Sequence, residues 1–459
     1  MNPYLELVFG VVIITAAVWA IVRQVDVRIA LLVAAFALGV LGQDVPAIVR
    51  QFFVTLTNEQ FVVPICCAMG FAYVMRLSGC DQHLVQLLVK PLRRFRILLI
   101  PGAVVVGFLV NIPVVSQTST AVAIGSVLVP LLRAARISPL TTGAALLLGC
   151  SMGGELLNPG APEFRTISQA LSTEDNVIPS TECVAHVFPL ILPQLLVATS
   201  LFWWLSVKHE AQYLQEIERQ LPPESIQPAP PPPEFRVNLI KALVPLVPIT
   251  LLFLTGPPLQ VFSIPKGWLV DVDRPGDVLH FDSRLIGAAM LVGVVLATAV
   301  GGANAWDSAR AFFEGAGYAL THIISVIIAA TCFGKGVDAI GLAKHLSALI
   351  SNRLTLLITA SGTVPLAFAW VCGSGMASTQ SLFQFFVEPS QSLNVSPLHV
   401  GAVVSIAAAA GRTMSPVAAV TLMCATFTET NPFELVRRLA LPVLVGMAVV
   451  ILLALLMAI

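Results

Sequence analysis

The chain has 459 residues, 57% of them hydrophobic and only 11% charged, with a mean hydropathy of +0.88. A soluble domain carries about 25% charged and about 45–50% apolar residues. A water-exposed surface cannot be built from this composition, so one polytopic membrane protein replaces the roughly three soluble domains that length alone would allow. Lys and Arg number 25, as do Asp and Glu, and the zero net charge excludes a nucleic-acid binder held by bulk charge.

Apolar runs of the roughly 20 residues needed to cross a bilayer fall near 4–22, 27–43, 60–78, 138–153, 184–206, 238–255, 284–302, 317–335, 396–411 and 434–458. The start, MNPYLELVFG, has no basic segment or small-residue cleavage site and reads as a first span. Two stretches differ. Leu98–Asn111 and Ser119–Leu132 are arms of about 14 residues, covering about 21 Å of a roughly 30 Å core. They flank the polar junction Ser116-Gln117-Thr118-Ser119-Thr120 and predict a re-entrant hairpin. Leu354–Cys372 leads into Gly373-Ser374-Gly375-Met376-Ala377-Ser378-Thr379 and then an arm to Glu388-Pro389 too short to span, a second hairpin. Irregular backbone at membrane depth is tolerated only where protein or a water-filled cavity surrounds it, so both tips are candidate sites. Residues 207–236, with their Pro228–Pro233 run, read as a polar helix and stiff linker. Residues 256–282 read as an extramembrane insertion.

The two sides of the linker resemble each other. Ile137-Ser138-Pro139-Leu140-Thr141-Thr142-Gly143-Ala144 matches Val395-Ser396-Pro397-Leu398-His399-Val400-Gly401-Ala402, and Gly154-Glu155-Leu156-Leu157-Asn158-Pro159 matches Gly411-Arg412-Thr413-Met414-Ser415-Pro416 with one residue of slip. Gly79, His83 and Leu84 match Gly341, His345 and Leu346, and the tips match at Ser119-Thr120 and Ser378-Thr379. The expected fold is therefore an all-α polytopic membrane protein of two inverted repeats, 1–206 and 237–459, joined by the 207–236 linker. Each repeat has about five transmembrane helices, one re-entrant hairpin and one interrupted helix. With the linker cytoplasmic, 16 of the 25 Lys and Arg fall on the inside, eight outside, and Arg412 within the membrane. This asymmetry follows the positive-inside rule and puts both termini outside.

Inverted repeats with hairpins and interrupted helices are the architecture of secondary transporters. A helix broken near the midplane exposes N–H groups and a positive dipole end that attract anions, while carbonyls of the other half-helix can hold Na⁺. Hydroxyls and amides at the tips and breaks are the candidate substrate ligands: Ser116, Thr118, Ser119, Thr120, Asn158, Ser374, Ser378, Thr379, Thr413 and Ser415. The alternative for each is backbone capping. Arg412 joins them because an intramembrane arginine is costly and usually functional, and its guanidinium matches a carboxylate in two-pronged geometry. Glu155, in the corresponding position of the other half, could pair with Arg412 or take part in ion coupling.

The stretch Gly411–Val417, followed by Asn431-Pro432-Phe433-Glu434-Leu435-Val436-Arg437-Arg438 and Leu441-Pro442-Val443-Leu444-Val445-Gly446, closely resembles the C-terminal end of DcuC-type anaerobic C4-dicarboxylate transporters, and Gly373-Ser374-Gly375 resembles that family's second tip. The resemblance implies transport of succinate, fumarate, malate or similar dianions across a bacterial inner membrane. Through the wider ion transporter superfamily it also implies an elevator-like movement. Met376 and Glu155 depart from the family pattern. No cofactor is expected, with Na⁺ or H⁺ as candidate coupling ions. The expected partners are a small organic anion and the lipid bilayer; a homodimer could form, and no nucleic acid is involved. Another organic anion would use the same fold. An intramembrane hydrolase with Ser374 or Ser378 as nucleophile would need His345 or His399 to fold in as base, and a channel would not need two symmetric hairpins. The eight cysteines form no CxxC pair and the seven histidines show no metal-ligand spacing. No phosphate loop is present.

Overall fold

A computed structural model describes residues 3–23, 25–91, 98–172, 177–220, 235–256, 259–274, 276–341 and 353–458. Among them every regular element is helical: α1 Pro3–Val22, α2 Val27–Leu41, α3 Val45–Leu56, α4 Glu59–Ser78, α5 Cys80–Val89, α6 Leu99–Asn111, α7 Gln117–Ala134, α8 Pro139–Ser151, α9 Pro162–Leu171, α10 Ser180–Gln220, α11 Leu239–Leu243, α12 Val247–Thr255, α13 Phe281–Gly301, α14 Ala305–Ala319, α15 Ser325–Ala339, α16 Leu354–Cys372, α17 Gly375–Leu382, α18 Gln384–Ser392, α19 Pro397–Thr413, α20 Ala419–Thr428 and α21 Pro432–Ala458. Seven helical segments of the described residues are long and apolar enough to cross a membrane. Large apolar side chains such as Val33, Val40, Leu196, Val295 and Leu452 face outward, as a lipid solvent allows.

Several elements differ from the expected spans. The helix beginning at Ser180 runs without interruption to Gln220, so the polar helix expected after 206 is its continuation. The Pro228–Pro233 run and His345 lie outside the described residues. The second arm of the first hairpin is longer than expected by two residues at each end, Gln117–Ala134, with Ser116 as its N-cap and Pro130 accommodated inside it. The span expected at 317–335 is part of a longer segment, Ala305–Ala339, in which a π-helical turn at Leu320–Ile324 joins α14 to α15. Helices α3, α5, α9 and α20 are short or amphipathic and fall below the length that a spanning pattern detects.

The same order recurs in each half: a hairpin (α6–α7; α16–α18), a buried helix (α8; α19), a break, a short helix (α9; α20) and a long final helix (α10; α21). One large hydrophobic core unites these elements, and a second is built from α1–α4, α14 and α15. Within Pro139–Leu171 every residue from Thr141 to Ser168 is buried, so this broken helix sits in the middle of the protein, away from lipid. Small residues let the helices approach. A methyl at Gly149 would lie 2.8 Å from the Val104 carbonyl oxygen, and one at Gly411 only 2.1 Å from that of Leu366. Gly411→Ala should therefore force α19 away from α16 and lower Tm in detergent, at a cost of roughly 1–3 kcal/mol or more. Gly317→Ala, on an exposed position with open space around it, should leave Tm unchanged. Equal Tm values for the two variants would show that the α16–α19 crossing tolerates a side chain.

Candidate functional site

The first hairpin turns where Ile112 precedes Pro113, a pairing that disfavours helix. Asn111, fully buried, donates from Nδ2 to the Val114 carbonyl (3.0 Å), and its Oδ1 accepts the Glu155 N–H (3.2 Å). Helix α7 then starts with Ser116 as N-cap, its hydroxyl accepting from the Ser119 N–H at 3.3 Å. In the second hairpin, α16 stops at Gly373, whose φ of +71° suits glycine. Ser374 caps α17 by accepting from the Ala377 N–H at 3.2 Å. The breaks follow the same chemistry. Helix α8 ends at Ser151, passes Gly153 (φ +97°) and a single tight turn, and resumes as α9 with Pro162 in its first turn. Helix α19 ends at Thr413, and Ser415-Pro416 separates it from α20.

These four restarts converge. Ser116, Gln117 and Thr118 from α7, Ser374, Gly375 and Met376 from α17, Pro162 and Glu163 from α9, and Ala418, Ala419 and Val420 from α20 line one cavity of about 410 Å³, within the roughly 300–1,000 Å³ of small-molecule sites. Four helix N-termini thus share one space, each with N–H groups that have no partner inside the helix and a positive dipole end. Arg412 lines the same cavity. Its Nη2 donates to Glu155 Oε1 at 2.6 Å and to the Ser151 carbonyl at 2.8 Å, and its Nε to Ser151 Oγ at 3.3 Å. No hydrogen bond among the described residues uses Nη1, which lies beside Gly375 in the second tip. The opposite wall is formed by Met69, Tyr318, His322, Asp26 and Arg28. Tyr318 and His322 stack with ring centroids 4.0 Å apart, and Arg28 donates to the Thr321 carbonyl at 2.8 Å, which fixes the π-helical turn against α2.

Of the candidate residues, Ser116, Thr118, Ser374 and Arg412 line the cavity. Ser119 is half-buried beside it. Thr120, Asn158, Ser378 and Thr413 turn their polar groups into the protein, donating to the carbonyls of Val114 (3.0 Å), Ile112 (2.9 Å), Pro365 (2.7 Å) and Ser151 (2.9 Å). The hydroxyls of Thr379 and Ser415 are buried without a partner among the described residues. Glu155 is the ion-pair partner of Arg412, with 1% of its side chain exposed. Glu163, Tyr318 and His322 were not expected. The signal for Glu163 was an acid one residue after the proline that restarts a broken helix. His399 cannot serve Ser374 as a base: it lies 13 residues before Arg412 on the same helix, about 20 Å away, and contacts the Ala454 carbonyl at 3.0 Å.

A second, polar cavity of about 270 Å³ lies at the other end of the same helices, lined by Thr166, Gln169, Gln380, Ser381, Gln384, Thr331 and Lys335 among others. Ile65 of α4 and Ile327 and Ile328 of α15, which lie along their helices between residues lining the first cavity and residues lining the second, are buried in one apolar cluster.

The sequence profile of the C4-dicarboxylate anaerobic carrier family, DcuC, matches residues 39–459. The chain belongs to this family. It is 23% identical over 403 residues to the anaerobic C4-dicarboxylate transporter DcuC of Escherichia coli K12, covering 83% of this chain and 77% of that one. It is also 33% identical over 136 residues to an uncharacterized transporter of Haemophilus influenzae, covering 30% of this chain and 94% of that one. In three dimensions it resembles Neisseria gonorrhoeae MtrF, described as illuminating a class of antimetabolite efflux pumps, with a TM-score of 0.58 at 13% identity over 89% of this chain and 84% of that one. It also resembles the Alcanivorax borkumensis YdaH transporter, with a TM-score of 0.50 at 16% identity over 89% and 88%. The DcuC-family chain is thus a multi-pass membrane transporter and not an enzyme.

Removing one partner of a buried ion pair strands the other charge and costs about 3–5 kcal/mol. Arg412→Gln should therefore lower Tm and folded yield sharply. Adding Glu155→Gln should restore Tm without restoring transport, because Arg412 also faces the cavity. Recovered transport in the double variant would confine Arg412 to a scaffold role.

Proposed function

We propose that this protein is a secondary transporter of C4-dicarboxylates such as succinate, fumarate and malate in the bacterial inner membrane. The observation that carries the reading is the convergence of four helix N-termini and Arg412 on one cavity, in a chain of the DcuC family. The two hairpin tips, each ending in a serine-capped helix, suit the two ends of a dianion: one carboxylate at the backbone N–H groups and hydroxyls of Ser116 and Thr118, the other at Ser374 and Gly375 with Nη1 of Arg412. The fixed N–H groups need little reorganisation to receive charge in a low-dielectric site.

Alternating access is supported by the paired cavities. Helices α9 and α17 wall both, and they face α4 and α15, which also wall both. A sliding of the hairpins and broken helices against α4 and α15 by about two turns would carry the site past Ile65, Ile327 and Ile328, in an elevator-like movement of two inverted repeats. In the orientation favoured by the positive charges, the first cavity opens to the cytoplasm and the second outward, with both termini outside. Uptake, efflux or exchange then follows the prevailing gradients.

Counterflow of labelled succinate in proteoliposomes is the direct test. Unlabelled fumarate and malate should compete, whereas a monocarboxylate of equal length should compete at least tenfold more weakly, since it lacks one charge-assisted hydrogen-bonded end. Absence of counterflow with every dicarboxylate, together with counterflow of another organic anion, would transfer the fold to that substrate class. Sidedness is read separately. A membrane-impermeant maleimide should label Gln117→Cys from the cytoplasmic face and Gln384→Cys from the outer face, above the parent background. Labelling of both from one face would remove the alternating-access reading.

A further inference from the structure

We propose that Glu163 is a proton-binding site through which dianion movement is coupled to a transmembrane pH gradient. The inference rests on the dicarboxylate reading of the same cavity. Glu163 lines that cavity at the start of α9, yet its side chain belongs to a residue only 4% exposed. No ion pair to its carboxyl, and no hydrogen bond from another residue, occurs among the described residues, and Oε2 is buried without a partner. An ionised carboxylate in that position is expensive unless paired, and an intramembrane acid of this kind is a functional residue by default.

The charges around it decide what it does. Arg412, the cation nearest in the broken-helix layer, is already neutralised by Glu155 at 2.6 Å. Across the cavity Arg28 is held by Asp26, and His322 is stacked on Tyr318. Cys372 is the remaining titratable group of the lining. The two arginines of the lining thus each already hold a carboxylate, and neither is free to offset both an ionised Glu163 and an incoming dianion. Ionised, Glu163 repels the substrate from the four helix N-termini. Protonated, it removes that repulsion and gains an O–H donor for a substrate carboxylate. Proton and dianion consequently favour each other's binding, which by linkage is reciprocal. Glu155 differs, since it is ion-paired through Oε1 to Arg412 at 2.6 Å.

The test uses full-length protein in proteoliposomes with succinate as the probe. For the wild type, an inwardly directed proton gradient should drive succinate accumulation, and affinity should fall up to tenfold per pH unit once Glu163 ionises. Glu163→Gln, which keeps the shape of the protonated acid, should lose accumulation driven by the pH gradient and show a flat pH profile of binding. Glu163→Asp should retain both, with a shifted midpoint. If the glutamine variant does not fold, the aspartate variant carries the test: an unshifted midpoint overturns the proposal. So does gradient-driven accumulation or an unchanged pH profile in Glu163→Gln, or a wild type that accumulates succinate on a Na⁺ gradient and ignores pH. In each of these cases succinate counterflow by the wild type would leave the dicarboxylate reading standing. Loss of counterflow in the wild type itself would remove that reading instead.

Discussion

A backbone cut inside a bilayer has no water to satisfy it, and the protein around the two breaks and two tips is organised by that constraint. The carbonyls released by the cuts are answered from within. Ser151, at the end of α8, receives Arg412 and Thr413 from the other half of the chain. Val114 receives Asn111 and Thr120, and Ile112 receives Asn158. The N–H groups of the restarting helices are treated differently. Serine caps occupy one N–H in each hairpin, and residues of all four first turns line the cavity. The consequence is an electrostatic polarity. Acceptors are consumed by the fold and donors are left for a ligand, so an anion is the species that such a centre is built to receive.

The ion pair between Arg412 and Glu155 does two things in this arrangement. It joins the broken helix of one half to that of the other, through a contact between residues 257 apart in sequence. It also cancels a charge that would otherwise be stranded. Attraction for an anion then comes mainly from oriented backbone dipoles, whose direction is fixed by α7, α9, α17 and α20 and cannot be titrated. On the dicarboxylate reading proposed above, specificity for a dianion over a monoanion would come from having two such tips rather than from an excess of positive side chains.

Much of this was legible in the sequence, because the features that stop helices are covalent. Pro113, Pro159, Pro162, Pro416, Gly153 and Gly373 mark the tips and breaks wherever they occur, and an arginine in an apolar run is conspicuous. What was not legible is angular. Thr118 and Thr120 are two residues apart, about 200° around a helix, and only the first faces the cavity while the second seals the tip. Ser374 and Ser378 divide by depth: the first is the N-cap of α17 at the cavity, and the second lies one turn further along, donating to the Pro365 carbonyl. Glu163 went unassigned because its burial depends on how α9 packs, and that is set by partners distant in sequence. The amphipathic helices α3, α5 and α14 were missed for a related reason, since an apolar-run pattern detects spans and not helices with one polar face. The π-helical turn at Leu320–Ile324 has no local sequence signature either, yet it brings His322 against Tyr318 at the cavity wall.

The internal neutralisation of Arg412 also bears on the empty cavity. A site holding a bare cation would bind its anion strongly but would resist moving through an apolar belt without it, since an unpaired charge is costly in low dielectric. With Arg412 paired to Glu155, Glu163 is the carboxyl of the broken helices that lines the cavity without an ion pair among the described residues, and a single proton neutralises it. The empty cavity can therefore reach a state with no net side-chain charge in that layer. If the site moves as proposed, the apolar cluster of Ile65, Ile327 and Ile328 would oppose an ionised Glu163 far more than a protonated one. On the proposed mechanism, the protonation of one carboxyl, rather than the presence of a fixed charge, would then be the condition for crossing.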